Sequence, residues 1–193
     1  MKHLIIFAHP NPKSFSKGIV DTLVDVSKDK NYEVEVRDLY KIKFQPILLP
    51  SDFESFAKGI TPKDIEEEQK FIKEADFISL VYPIWWGSEP AILKGYLDRV
   101  LSYGFAYVNK ENGPVGLLQG KKVAIFTPMG NSNEAYKKNG MDEAMKTIKD
   151  AGTFEFCGIK TVSHMLLGEV PSSNEDTLNN YLRDIRTNIS ELL

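Results

Sequence analysis

Phe77-Ile78-Ser79-Leu80-Val81-Tyr82-Pro83-Ile84-Trp85-Trp86-Gly87-Ser88-Glu89-Pro90 is the stretch from which the architecture of the chain can be read. Its first six residues are an apolar run of strand length, and the rest is a Pro/Gly-bracketed turn. An amphipathic helix pattern follows from Ala91 to Ser102, with Ile92, Leu93, Tyr96, Leu97, Val100 and Leu101 on one wide stripe. Strand, short turn and helix in that order read as half of a βαβ unit. The chain's 2 tryptophans stand side by side in the turn. Cores usually take indoles from the middle of elements, whereas aromatic faces in loops more often meet a flat ligand or a partner chain.

The same alternation extends in both directions. Leu4 to Ala8 is a short unalternating apolar run, the mark of a strand buried on both faces. A helix pattern follows His9 to Phe15, with Ser16 as its expected N-cap and Ile19, Leu23 and Val26 along one side. Tyr32 to Arg37 alternates with period two and reads as a strand nearer a sheet edge. Lys41 to Ser55, broken by Pro46 and Pro50, reads as an excursion packed on the surface. Thr61-Pro62-Lys63-Asp64 is expected to begin a helix running to about Ala75, with Thr61 as cap.

Beyond the tryptophans, a Gly/Asn-rich segment from Gly104 to Gly120 leads to the strand Val123 to Thr127. The turn Pro128-Met129-Gly130-Asn131, a helix near Glu134 to Ala151 and a strand near Phe154 to Val162 come next. A last helix carries Leu178, Leu182, Ile185, Ile189 and Leu192 on one face. Strands and helices thus alternate with no internal repeat or low-complexity linker. The expected fold is α/β: one domain over residues 1–193, a five-stranded parallel sheet with helices on both faces.

Composition narrows the function classes. With 193 residues, 42% hydrophobic and 26% charged, the chain has the balance of an ordinary globular domain. A net charge of −3 argues against general nucleic-acid binding. Lys121-Lys122 and Lys137-Lys138 read as solvated surface. The single cysteine, Cys157, reads as a small buried strand residue. His3, His9 and His164 lack metal-ligand spacing, so no metal site is expected. No stretch reaches the ~20 apolar residues of a membrane span, and the apolar run at Leu4 is too short for a signal peptide. A cytoplasmic protein without membrane insertion is the expectation.

In an open parallel sheet, ligands bind beyond the carboxyl ends of the strands. Three such exits hold most of the chemically interesting residues: His9 to Ser16, Pro83 to Pro90, and Thr127 to Ser132. The first precedes a helix whose leading amides are unpaired and favour an anion, with His9, Lys13, Ser14 and Ser16 nearby. It carries neither a Walker loop nor a Gly-x-Gly-x-x-Gly fingerprint. A structural His9 bonded to backbone and a Ser16 that only caps are the lesser alternatives; phosphate or pyrophosphate binding is the better reading. The second exit supplies planar faces; the third supplies small residues and backbone amides, with Tyr136 shortly after. Together they suit a flat, polar-edged ring attached to phosphate, which describes a flavin. A Gly-x-Ser-x-Gly hydrolase elbow is absent.

Pro83 to Val100, reading PIWWGSEPAILKGYLDRV, resembles the signature of the NAD(P)H:quinone oxidoreductases, the flavodoxin-like group of DT-diaphorases and modulator-of-drug-activity-B proteins. The likeness continues in Ala8-His9-Pro10, Ser14-Phe15-Ser16, Asp38-Leu39-Tyr40, Phe44 to Ile47, Gly104 to Tyr107 and Phe156-Cys157-Gly158. It implies strand order 2-1-3-4-5 and a homodimer holding a flavin at each of two interface sites. It also implies hydride transfer from NAD(P)H to the flavin, then to a quinone-like acceptor in the same pocket. On matching positions His9, Ser14, Phe15 and Ser16 resemble contacts to the flavin's ribityl-phosphate or adenosine portion. Pro83, Ile84, Trp85 and Trp86 resemble the isoalloxazine wall, with Trp86 the favoured ring contact. Thr127, Pro128, Met129 and Gly130 resemble the loop at the ring edge, with Tyr136 as the catalytic candidate near N1 and O2. Tyr107 and Phe156 resemble aromatics that join Trp86 at the substrate, across a dimer interface.

This chain departs from the pattern in places. Pro128 stands where relatives have a backbone donor, and Asp142 where they carry a histidine, so a proton relay through that position does not carry over. FAD is the expected flavin, with FMN the close alternative. Some relatives instead serve as ancillary subunits of potassium-efflux transporters. The compact phosphate loop of one-electron flavodoxins is absent.

Overall fold

The computed structural model describes residues 1–193. Strands β1 (Lys2–Phe7), β2 (Glu33–Asp38), β3 (Phe77–Val81), β6 (Lys122–Pro128) and β7 (Lys160–Leu167) form one parallel sheet in the order β2-β1-β3-β6-β7. Counting main-sheet strands only, this is the expected 2-1-3-4-5. β2 lies at an edge, which its period-two pattern required.

The unalternating runs follow from burial on both faces. Leu4 and Ile6 of β1, Ile78 and Leu80 of β3, and Val123 and Ile125 of β6 enter one core. Ile5 and Phe7, Phe77 and Val81, and Ala124 and Phe126 enter the other. The first core is closed by α3 (Lys63–Glu74) and α4 (Ala91–Val100), the second by α1 (Phe15–Asp29) and α7 (Glu175–Leu192). His3 sits on the α1 side of β1, fully buried. Its Nδ1 lies 2.6 Å from Ser27 Oγ and its Nε2 2.8 Å from Ser79 Oγ, so both ring nitrogens are satisfied. Burial nevertheless pushes its pKa down to about 4.

The excursion before α3 contains α2 (Pro50–Ala57) and is tied down by Arg99 of α4. That guanidinium donates to Asp52 Oδ2 at 3.0 Å, to Asp64 Oδ2 at 2.6 Å and to the Gln45 carbonyl at 2.8 Å. Hydrogen bonding from Arg99 holds the Asp52 carboxyl below its ordinary value. The backbone of Pro46 approaches α4 so closely that a Cβ on Gly95 would lie 2.0 Å from the Pro46 oxygen.

Several expectations need correction. Ser14, not Ser16, caps α1: it is extended (φ −71, ψ 159) and its Oγ accepts from Lys17 N at 3.3 Å, while Ser16 already lies in the first turn. Thr61 does not cap α3, whose N-cap position is Pro62 with no side-chain bond. The Gly104–Gly120 segment is ordered as a hairpin, β4 (Tyr107–Lys110) antiparallel to β5 (Gly113–Gly116). The helix expected over Glu134 to Ala151 is three pieces. α5 (Asn133–Asn139) ends at Gly140 in a left-handed conformation (φ 76), α6 (Met141–Lys146) follows, and Thr147–Glu155 winds as a π-helix.

The fifth sheet strand therefore begins at Lys160 rather than near Phe154. Phe154 is buried from the π-helical segment and Cys157 from the turn after it, both in the first core. Their apolar character mimics a strand but serves a helix end packed on the sheet. Burial raises the Cys157 thiol to about 11. Lys121 is not simple solvated surface: its Nζ donates to the Lys73 and Ala75 carbonyls, each at 2.7 Å.

Candidate functional site

The exits of β1, β3 and β6 meet in one cleft of about 330 Å³, as the strand order demands. His9, Ser14, Phe15 and Ser16 line it from the first exit, Pro83, Ile84 and Trp85 from the second, and Pro128, Met129 and Gly130 from the third. The loops are cross-tied by backbone. Ile84 N donates to the Pro128 carbonyl at 2.9 Å and Met129 N to the Leu167 carbonyl at 2.9 Å. Pro128 has no N–H to offer, and its carbonyl is the group that ties the two loops.

At the mouth of α1 the amides of Phe15 and Ser16 have no backbone acceptor, since Lys17 N is the first amide that Ser14 takes. Unpaired amides at the positive end of a helix of 15 residues make an anion-binding corner. Ser16 is itself buried, 2% exposed, at that corner. His9 Nδ1 accepts from Asn11 N at 3.0 Å, which puts the proton of the neutral ring on Nε2. Burial lowers its pKa, so the ring is neutral at pH 7 and supplies a donor rather than a charge.

Trp85 and Trp86 part company here. Trp86 (φ 52) and Gly87 (φ 74) form the centre of a two-residue turn, closed by Trp85 N to Ser88 O at 2.9 Å and Ser88 N to Trp85 O at 3.1 Å. The turn directs Trp85 to the cleft, where it is 42% exposed, and leaves Trp86 wholly in solvent at 105%. Thr127 is fully buried, with its hydroxyl donating to the Met165 carbonyl at 3.2 Å. Tyr136 is half-buried on α5 and does not line the cleft.

Tyr107 and Phe156 do not reach the cleft either. Their rings pack together at 5.1 Å between centroids in a second cavity of about 320 Å³, whose wall includes Ser88, Glu89, Ile148 and Lys149. The same turn therefore borders both spaces: Trp85 on one, Ser88 and Glu89 on the other. No group of three or more His, Cys, Asp or Glu side chains is placed to hold a metal ion.

A family model described as a flavodoxin-like fold matches residues 1–189. The chain belongs to that flavodoxin-like family. Over 171 residues it is 44% identical to a Haemophilus influenzae protein named as an uncharacterized NAD(P)H oxidoreductase, covering 88% of this chain and 85% of that one. It is 33% identical over 182 residues to the human ribosyldihydronicotinamide dehydrogenase [quinone], covering 84% and 79%. Among solved structures, the NAD(P)H:quinone oxidoreductase of Methanothermobacter marburgensis superposes with a TM-score of 0.89 at 28% identity, over 100% of this chain and 96% of that one. The likeness to quinone oxidoreductases read from Pro83 to Val100 holds across nearly the whole flavodoxin-like chain.

Two lining residues escaped the sequence reading: Val170 and Pro171, beyond the exit of β7. Val170 N donates to the Met129 carbonyl at 3.1 Å, fixing a fourth wall. The apolar run Phe154 to Ile159, which mimics the last sheet strand, masks this loop in the sequence. The run Lys160 to Leu167 followed by Gly168 carried the signal.

Proposed function

We propose that this chain is a flavin-dependent NAD(P)H oxidoreductase that passes a hydride from NAD(P)H, by way of a bound flavin, to quinones or related electrophilic aromatics. One observation carries the reading: an indole wall and a pair of unpaired helix amides share one cleft at the carboxyl ends of a parallel sheet. Names of the relatives point the same way.

The donor set fits a flavin. Phe15 and Ser16 amides with the Ser14 and Ser16 hydroxyls suit the phosphate; Trp85, Pro83 and Ile84 suit a face of the ring; Met129 and Gly130 suit its edge. When bound, the flavin supplies two-electron hydride chemistry that no side chain provides. The chain's own part is to stack, align and exclude water, which is where positioning gains in rate arise. His9 offers a neutral N–H donor in the cleft, and Tyr136 on the adjoining helix remains the proposed proton-bearing group near N1 and O2.

At about 330 Å³ the cleft lies at the small end of ligand sites. FAD is the proposed flavin, from the likeness of Ser14 to Ser16 and Phe44 to Ile47 to FAD-binding relatives, with FMN the competing outcome. A second copy of this chain is proposed to complete the site, bringing Tyr107, Phe156 and the exposed Trp86 to the acceptor. Residues 1–193 act as one domain in this scheme. No helix is long and apolar enough to cross a membrane. A cytoplasmic setting, rich in NAD(P)H and thiol-reducing, suits the proposal. Steady-state oxidation of NADH and NADPH with and without menadione tests it: turnover should depend on added flavin and quinone, and its absence under both donors would refute the assignment.

A further inference from the structure

Glu89 is a buried carboxylate inside the turn that carries both tryptophans, and its partner comes from a distant part of the fold. The side chains of Lys149 and Glu89 are 7% and 5% exposed. Lys149 Nζ donates to Glu89 Oε1 at 2.7 Å, and Ser88 Oγ donates to Oε2 at 2.7 Å, so both carboxylate oxygens are occupied. Burial alone would raise the Glu89 carboxyl, but the Lys149 ammonium and these hydrogen bonds hold it below its ordinary value. Lys149 belongs to the π-helical segment Thr147–Glu155, and such insertions concentrate at functional sites.

A buried ion pair is a poor choice for stability, because desolvation cancels much of the Coulomb attraction and an apolar pair of like volume does as well or better. What charge-assisted bonds add is direction: they fix where the partners sit. Here the partner held in place is a stiff object. The Trp85–Ser88 hairpin is closed by reciprocal backbone bonds, and its upstream end is tied by Ile84 N to the Pro128 carbonyl at 2.9 Å. The downstream end has the Glu89–Lys149 pair. Trp85 faces the strand-exit cleft, while Ser88, Glu89 and Lys149 face the cavity that contains Tyr107 and Phe156.

We propose that the Glu89–Lys149 pair is a positioning element that holds the Trp85–Ser88 hairpin against the π-helical segment and so sets the indole wall of the cleft in register with the Tyr107–Phe156 cavity. The effect on the hairpin stands by itself; the effect on turnover rests on the function proposed above. Neither residue lines the strand-exit cleft itself. They act through Trp85.

The test removes both charges together, Glu89→Met with Lys149→Met, so that no lone buried ion remains. In a Trp86→Phe background Trp85 is the only tryptophan, and its quenching by acrylamide reports the wall directly. The double variant is expected to fold and to raise the quenching constant of Trp85 about twofold or more, since a wall without its supporting contacts loosens. Exchanging the charges, Glu89→Lys with Lys149→Glu, is expected to restore most of the native value. With both tryptophans present, the apolar double variant should raise the KM for menadione about threefold or more, while kcat changes less. Native quenching in a folded double variant would overturn the proposal. So would a double variant that does not fold, because the pair would then supply stability rather than position. If the purified protein takes up no flavin, the function above fails, and the quenching measurement still decides this inference.

Discussion

The His9 imidazole and the Trp85 indole meet edge to face, with ring centroids 6.0 Å apart and planes inclined by 61°. One ring comes from the exit of β1 and the other from the exit of β3, which are neighbours in the sheet. The contact makes a corner of the cleft from two loops that are far apart in sequence. It also singles out Trp85, rather than Trp86, as the indole whose place is fixed within a single chain.

Trp85→Ala is therefore expected to weaken flavin binding by about fivefold or more, the loss of an aromatic stacking contact of roughly 1–3 kcal/mol. Trp86→Ala, at a fully exposed site, should leave the affinity of a single chain closer to native and act on acceptor turnover. Fluorescence titration of the flavin-free protein with flavin gives both values. Equal losses from both substitutions would mean that Trp86 is folded onto the ring in the assembled protein.

Ser14 has two tasks, and they separate on substitution. Ser14→Ala removes the hydroxyl that accepts from Lys17 N, which should cost about 1 kcal/mol in urea unfolding. If the hydroxyl also meets a phosphate, affinity for FMN should fall while affinity for riboflavin, which lacks the phosphate, stays level. A parallel loss for both compounds would confine Ser14 to capping.

His3 makes stability depend on pH. Its folded pKa is about 4, below the 6.5 of the unfolded chain, so the unfolded state takes up a proton first as the pH falls. Stability from this group is complete above about pH 6.5 and declines toward pH 4, by about 2 kcal/mol between pH 7 and pH 5. His3→Gln, which keeps a side chain able to bond Ser27 or Ser79, should flatten that slope by the same amount. An unchanged slope in urea titrations at the two pH values would show that His3 does not contribute to it.

Gly95→Ala tests how the excursion docks. Because the new Cβ would meet backbone atoms of Pro46 at 2.0 to 2.6 Å, neither neighbour can give way cheaply. A loss of about 3 kcal/mol is expected, with Arg99 released from the Gln45 carbonyl. Native stability would mean the excursion moves freely off α4.

The sheet was legible because Leu4 to Ala8, Phe77 to Tyr82 and Val123 to Thr127 are buried on both faces, and continuous apolar runs admit few other readings. The cleft followed from the sheet, since parallel strands gather their exits at one end. Phe154 to Ile159 misled for a physical reason. A helix end packed under a hairpin buries Phe154, Cys157 and Ile159 as fully as a strand would, and periodicity over six residues cannot separate the two. The division of the tryptophans was not legible either. It depends on the left-handed conformations of Trp86 and Gly87, and a tryptophan gives no advance sign of adopting one. Glu89 lies within the signature stretch, but its partner Lys149 lies 60 residues away and only the fold brings them together.

Whether the cleft is a flavin site is decided by the flavin content of the purified protein after reconstitution and desalting. Heat release followed by chromatography gives both the amount and the identity. About one flavin per chain is expected, as FAD, bound without a covalent link. A protein that is folded by circular dichroism yet returns no flavin would contradict it.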